Sequence, residues 1–336
     1  MEAGRPSVAI VGATGAAGGT LLRVLAERAF PLGDLRLFAS ARSEGRHVAT
    51  HLGSIEVHAL SDDALRGRDV VFFAAGAATS RRHAPRVASA GGVAIDKSSA
   101  FRMDPNVPLV VPEVNAATLA GHHGIVANPN CVAIPLAIVL APLQHAYGLR
   151  HVTVSTYQAA TGAGRGLAEE LETQMREEAA GTEPTAHVYP HVLHGNVVPG
   201  GWTMEGDDTE EERKVIAETR RVLGTPSLRM SVTTVRVPVS VGHSAAVWVE
   251  MDAPMDLDGI RRVLASSPGI VVVDDPAAQR YPTPRAVAGT DDVHVGRIRR
   301  DAGTENGIAL FFSADNLRKG AATNAVQVAE LVLGGR

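Results

Sequence analysis

Val8-Ala-Ile-Val11 runs straight into Gly12-Ala-Thr-Gly15-Ala-Ala-Gly18 and then into a helical pattern from Gly19 to Ala29. Strand, glycine turn and helix in that order constrain the chain more than any other feature. Glycines let the backbone approach a pyrophosphate and set it at a helix N-terminus, where unpaired amides and the helix dipole favour negative charge. Gly12, Thr14, Gly15, Ala16, Ala17 and Gly18 are therefore candidate cofactor contacts. The spacing is G-x-x-G-x-x-G rather than the commoner G-x-G-x-x-G, and a plain tight turn would need the same glycines.

The alternation continues. Strand-like runs at Leu35 to Phe38, Glu56 to Leu60, Asp69 to Ala75 and Val93 to Ile95 are separated by patterns such as the helical Ser80 to Ala90. Short apolar strands alternating with helices predict a Rossmann-type, doubly wound α/β domain whose mostly parallel sheet is covered on both faces. Beyond Tyr147 longer strands appear, Val152 to Gln158 and Ala245 to Met251, with helical stretches at Gly166 to Ala180 and Thr209 to Leu223. We read this as an α+β second domain. The expected division is 1–130 with a returning C-terminal helix over 315–336, and 131–314 between them. The loop from Gly181 to Asp208 is unusually long for a compact domain, which predicts a functional or mobile segment.

Composition narrows the function. The 336 residues carry 32 Lys and Arg against 36 Asp and Glu, a net charge of −4, so no basic face for nucleic acid is expected. The longest apolar run, Val132 to Leu143, has 12 residues and two prolines, short of the roughly 20 a bilayer span needs. No signal peptide is readable before Ser7, and the lone Cys131 cannot form an intrachain disulfide, so a cytoplasmic location is expected.

An NAD-binding turn would place Asp or Glu at the end of the second strand. Here that position reads Ser40-Ala41-Arg42-Ser43, whose hydroxyls and guanidinium suit a 2′-phosphate; Glu44 dissents. NADP is the expected cofactor, although a solvated loop would read alike. Cys131 follows Asn128-Pro129-Asn130 and precedes the helix-compatible Val132 to Ala146, a position that favours the thiolate. A lone cysteine is also often a small core residue. Acyl chemistry needs a proton-transfer partner as well, and His243 stands just before the strand-like Ala245 to Met251.

GATGAAG, SARS, SSAFRMD (98–104), VPEVN (111–115), NPNC, TYQAATGAG (156–164), EERK, RVPVSVGHS (236–244) and DNLRKGAATNAVQVAE (315–330) together resemble the aspartate-β-semialdehyde dehydrogenase family over nearly the whole chain. The resemblance implies NADPH-dependent reduction of L-aspartyl 4-phosphate to the semialdehyde, with release of inorganic phosphate, as a step in lysine, threonine and methionine biosynthesis. It also implies a homodimer formed through the second domain. By the same resemblance Cys131 is the nucleophile that forms a thioester and His243 the acid/base, with Gln158 orienting the thioester and Asn130 holding the phosphate or the oxyanion. Arg236 is implied for the substrate α-carboxylate, Glu211 for the ammonium, Arg102 and Lys214 for the phosphate, and Gly162 and Asn316 for the cofactor.

Other readings stay open on the residues alone. Arg102 and Arg236 could be surface ion-pair partners, His243 a buried core histidine, and Glu210 or Glu212 the ammonium ligand instead of Glu211. The chain departs from the family pattern at His194-Gly195, which could alter the substrate pocket. His187, His191 and His194 have a metal-like spacing but no fourth ligand, so no metal is expected. Gly242-His-Ser-Ala-Ala246 lacks the final glycine of a hydrolase elbow and leads into a strand. A homologue acting on a different or modified acyl phosphate, and a non-catalytic NADP-binding paralogue, are the two alternatives. The latter would be expected to lose Cys131 or His243, and both are present.

Overall fold

Strand β1 (Ser7–Val11) is apolar on both faces because both faces are covered: Val8 and Ile10 enter one core, Ala9 and Val11 the other. The computed structural model describes residues 5–335, so the first four residues and the last, which the expected domain spans include, lie outside the described residues. Helix α1 (Ala16–Glu27) follows the glycine turn, then β2 (Asp34–Ala39), β3 (His47–Thr50), β4 (Gly53–Ala59), β5 (Val70–Phe73), α2 (Ala77–Ser89), β6 (Val93–Asp96), the short α3 (Pro112–Asn115) and β7 (Ile125–Ala127). These strands form one sheet in the order β3-β4-β2-β1-β5-β6-β7, parallel throughout except for the β3–β4 pair. Helix α1 and the C-terminal helix (Thr323–Gly334) cover one face, and α2 the other.

Two of these strands give little sequence signal. β3 reads His-Val-Ala-Thr at a sheet edge, where only alternate residues are half-buried, and β7 is three residues long. The turn itself is sterically specified. Gly12 has φ +88°, and a Cβ at Gly18 would stand 2.3 Å from the Gly12 carbonyl oxygen.

The chain divides into two compact units, one running to Asn130 and resuming at Ala321, the other spanning Cys131–Gly320. The second contains α4 (Ala133–Tyr147), β8 (Leu149–Tyr157), α5 (Arg165–Ala179), the short hairpin β9 (Met204–Glu205) and β10 (Asp208–Thr209), and α6 (Glu210–Leu223). There follow β11 (Arg229–Thr233), β12 (His243–Met251), α7 (Leu257–Ala265), β13 (Ile270–Val272), α8 (Pro284–Val287), β14 (Val293–Arg300) and β15 (Gly307–Ala314); the C-terminal helix, α9, closes the first unit. The mixed six-stranded sheet has the order β11-β8-β12-β15-β14-β13. Helices α4, α6 and α7 pack together and against its strands. Helix α4 is apolar on nearly every side because nearly every side is buried.

On β8, Val152, Val154 and Thr156 are buried while Thr153, Ser155 and Tyr157 on the opposite face are half-buried. Cross-strand register sets Trp248 opposite Thr153, Ala246 opposite Ser155, and Phe311 opposite Ala246, so that second face carries Tyr157, Trp248 and Phe311. Among the described residues, no helix is long and apolar enough to cross a membrane.

The start of α6 is fixed by a capping box. Thr209 Oγ1 accepts from the Glu212 amide at 3.2 Å, and the Glu212 carboxylate accepts from the Thr209 amide at 2.7 Å. Thr209→Ala should therefore lower unfolding stability by about 1 kcal/mol in a urea titration; an unchanged midpoint and slope would show that the box does not stabilise the helix.

Candidate active site

The end of β8 places a polar cluster at one point of the second unit. Gln158 is stitched to the segment carrying Arg236: its amide donates to the Val235 carbonyl at 2.8 Å, and its carbonyl accepts from Val237 at 3.1 Å. Arg236 is bonded on its other side to Val198, N–H to carbonyl in both directions, at 2.8 and 2.9 Å. The next residue, Ala159, serves two side chains through its backbone. Its N–H donates to Nδ1 of His243 at 2.9 Å, and its carbonyl accepts from Nη1 of Arg236 at 2.8 Å. An imidazole that accepts at Nδ1 carries its proton at Nε2 when neutral.

Burial and the nearby Arg236 charge both push the His243 pKa well below its ordinary value of 6.5, so the ring is neutral over the physiological range. Gly162 makes room for this arrangement. A Cβ there would sit 2.8 Å from Arg236 Nη1 and 2.8 Å from His243 Nε2, so those two atoms are at most twice that distance apart.

Glu211 joins the cluster from α6, its Oε1 accepting from Gln158 Nε2 at 2.9 Å, with both residues buried. The three acids at the start of α6 are thereby told apart: Glu211 meets Gln158, Glu212 closes the capping box, and Glu210 pairs with Lys214 at 3.1 Å. Lys214 stands three residues after Glu211 and is partly exposed.

Cys131 is half-buried and lies two residues before the first residue of α4, near the positive end of that helix. Gly320 packs beside it: a Cβ there would come within 3.3 Å of the Cys131 Cβ. Asn316 serves the loop before His243. Its Oδ1 accepts from the Gly242 amide at 2.9 Å, and its Nδ2 donates to Thr161 Oγ1 at 3.0 Å.

The long segment after α5 is hydrogen-bonded to that helix at several points. Glu170 accepts from the amides of His187, Val188 and Tyr189; Gln174 accepts from Leu193 and His194 and donates to Thr185; Glu177 accepts from Thr185. His194 pairs with Glu178 on the same helix, so its side chain is engaged on α5. Two aromatic rings of this segment flank Arg236, whose Cζ lies 5.9 Å from the centre of Tyr189 and 4.7 Å from that of Trp202. His187, His191 and His194 do not converge, and among the described residues no three metal-ligating side chains do.

In the first unit, a cavity of about 620 Å³ is lined by Gly12, Thr14, Gly15, Ser40, Ala41 and Thr79, among others. Gly15, the N-cap of α1, provides no side-chain cap and the first turn holds no acid, leaving the helix's positive end uncompensated. Ala16 and Ala17 form that first turn, and Ser43 Oγ lies 3.5 Å from Thr14 Oγ1. Arg42 is exposed and forms no ion pair with any described residue.

Arg102 and Asn130 are both buried. Arg102 donates Nε to the Asn128 carbonyl at 3.0 Å and Nη2 to the Lys97 carbonyl at 2.6 Å, tying SSAFRMD to the approach to NPNC. Asn324 of α9 supports that approach from the other side, donating to Asn128 Oδ1 at 2.8 Å.

The sequence reading did not single out Glu170, Gln174, Tyr189, Trp202 or Asn324. The spacing of Glu170, Gln174, Glu177 and Glu178 carries a signal, since it places four acceptors on one helix face beside a long loop.

Two family models match the chain: semialdehyde dehydrogenase, NAD binding domain, over residues 7–122, and semialdehyde dehydrogenase, dimerisation domain, over residues 140–319. The aspartate-semialdehyde dehydrogenase of Aquifex aeolicus is 44% identical over 331 residues, covering 97% of each chain. That of Bacillus subtilis is 41% identical over 332 residues, covering 96% of each. Among solved structures, aspartate semialdehyde dehydrogenase II of Vibrio cholerae complexed with ASA superposes with a TM-score of 0.94 at 39% identity over 98% of each chain.

Because the folded His243 ring resists protonation, the unfolded chain takes up the extra proton below pH 6.5, and acid costs stability through this residue. The stability difference between His243→Gln and the parent should thus shift in the variant's favour between about pH 8 and about pH 5. A difference constant across that range would show that the ring titrates normally in the fold.

Proposed function

Since the chain belongs to the aspartate-semialdehyde dehydrogenase family, we propose that it reduces L-aspartyl 4-phosphate to L-aspartate 4-semialdehyde with NADPH and releases inorganic phosphate, a step toward lysine, threonine and methionine. The observation that carries this reading is the buried set of Arg236, Glu211, Gln158 and His243 held around the end of β8. An anion-binding and a cation-binding side chain flanking a histidine suit an amino acid whose reacting carbonyl lies apart from its α-carboxylate and ammonium.

The chain's residues fit the cofactor. Gly12, Thr14, Gly15, Ala16, Ala17 and Gly18 present the uncompensated start of α1 to a pyrophosphate, and Ser40, Arg42 and Ser43 present hydroxyls and an unpaired guanidinium where an NAD site would hold a carboxylate. Bound NADPH supplies a hydride. Gly162 keeps the surroundings of His243 open, and Asn316 fixes the loop that carries it.

The remaining work belongs to side chains. Cys131, favoured as thiolate by α4, attacks the acyl phosphate carbonyl; a C–S bond forms and the C–O bond to phosphate breaks, its electron pair leaving with phosphate. Asn130 and the Nε2–H of His243 serve the oxyanion, Gln158 orients the thioester, and Arg102 and Lys214 supply the countercharge for phosphate. At the former carbonyl oxygen the acid/base His243 acts through Nε2–H, whose hydrogen bond stabilises the negative charge; as the C=O bond re-forms the C–S bond breaks, its electron pair returns to Cys131 as thiolate and the aldehyde leaves. Arg236 grips the α-carboxylate and Glu211 the ammonium.

Two further parts of the reading rest on different support. The half-buried sheet face carrying Tyr157, Trp248 and Phe311, within a region matching a dimerisation model, supports a homodimer through the second unit. We place the reaction in the cytoplasm, a reducing compartment that keeps a lone thiol such as Cys131 free. No nucleic acid or membrane partner enters it.

The test is the reverse reaction: L-aspartate 4-semialdehyde, phosphate and NADP should give phosphate-dependent NADPH formation, and its absence in protein that binds NADP would refute the assignment. Cys131→Ala should abolish turnover with NADP binding intact; residual turnover would remove the nucleophile. Arg42→Ala should weaken NADP on the order of tenfold while leaving NAD nearly unchanged, and equal weakening would rule out a 2′-phosphate contact.

A further inference from the structure

Arg236 is 2% exposed, and no described carboxylate pairs with it. A buried cation needs compensation, and here the Ala159 carbonyl supplies one hydrogen bond while Nε has no partner. The Trp202 and Tyr189 rings lie against it, and the Tyr189 hydroxyl interacts with the guanidinium as well. Trp202 is the nearer, at 4.7 Å, and indole is the strongest aromatic partner for a guanidinium.

The two rings are held differently. Tyr189 is locked by Glu170 at its amide and by the Gly200 carbonyl at its hydroxyl. Trp202 is half-buried, and the next residue, Thr203, accepts through its carbonyl from the Glu210 amide at 2.8 Å, one residue before Glu211. The indole over Arg236 is thereby tied to the helix start that bears Glu211. An aromatic face holds a guanidinium in place without neutralising it, as a carboxylate would, and so leaves its charge for an incoming anion.

We propose that Trp202 is a positioning residue for carboxylate recognition: its indole holds Arg236 as an uncompensated cation at a fixed offset from Glu211, so that the chain selects amino aldehydes carrying an α-carboxylate. This deepens the functional reading above and rests on it.

The experiment compares Trp202→Ala and Trp202→Phe with the parent in the phosphate-dependent oxidation of L-aspartate 4-semialdehyde and of 3-aminopropanal, which lacks the carboxylate. Trp202→Ala should raise KM for the first on the order of tenfold with kcat nearly unchanged, leave KM for the second unchanged, and be largely rescued by Trp202→Phe. Loss of kcat with both aldehydes, or an equal KM rise with both, would overturn the proposal, since a general packing role predicts those results.

A binding readout separates this proposal from the reaction. L-2-Aminobutyrate should change tryptophan emission in the parent but not in Trp202→Phe, whereas n-propylamine should change neither. That pattern in a parent protein inactive on both aldehydes would uphold carboxylate recognition and refute the reaction; no emission change in an active parent would refute the role of Trp202 alone.

Discussion

One peptide unit orders the chemistry of the second unit. The N–H of Ala159 fixes the ring of His243 and its carbonyl fixes Arg236, so the two side chains cannot move independently. Ala159 is itself held because Gln158 and Ala160 on either side are bonded into neighbouring segments, Gln158 to Val235 and Val237, Ala160 to Val239. A strand end that turns immediately into a short helical turn delivers both directions of its backbone to side chains, which the interior of a ladder cannot do. Glycine at 162 then leaves the space that a Cβ would close.

The segment between α5 and α6 completes the cluster. A long connection would ordinarily be mobile, yet this one is anchored because α5 turns one face of acceptors toward it and satisfies backbone amides that have no ladder partner. Ordering it carries Tyr189 and Trp202 to Arg236. His194 is engaged with Glu178 in the same anchoring.

Much of this was legible in the sequence, and the limits have physical causes. The alternation of short apolar strands and helices gave the α/β architecture because a doubly covered sheet writes itself as continuous apolar runs; β3 and β7 escaped because an edge strand and a three-residue strand do not. The glycine turn, Cys131 before a helix and the Ser40–Ser43 stretch after β2, with Glu44 against it, are each readable from local sequence. The meeting of Gln158, Glu211, Arg236 and His243 is set by cross-strand register and by a capping box, and no local spacing encodes it; only the family resemblance brought those residues together on paper. Which of Glu210, Glu211 and Glu212 turns inward depends on the helix start: with Thr209 as cap and Glu212 in the capping box, Glu211 is the buried one. The anchors of the segment expected to be functional or mobile were not read from the sequence: Glu170, Gln174 and Glu177 bond backbone amides, which a sequence does not distinguish, and Glu178 meets the His194 side chain.

In the proposed reaction Cys131 carries the substrate acyl group as a thioester. The most direct measurement is the mass of the intact protein, followed by peptide mapping, after mixing with L-aspartate 4-semialdehyde and NADP in the absence of phosphate. An aspartyl adduct should form on Cys131 together with NADPH and be discharged when phosphate is added; NADPH formation with no adduct, or an adduct on another residue, would rule out Cys131 as the acyl carrier.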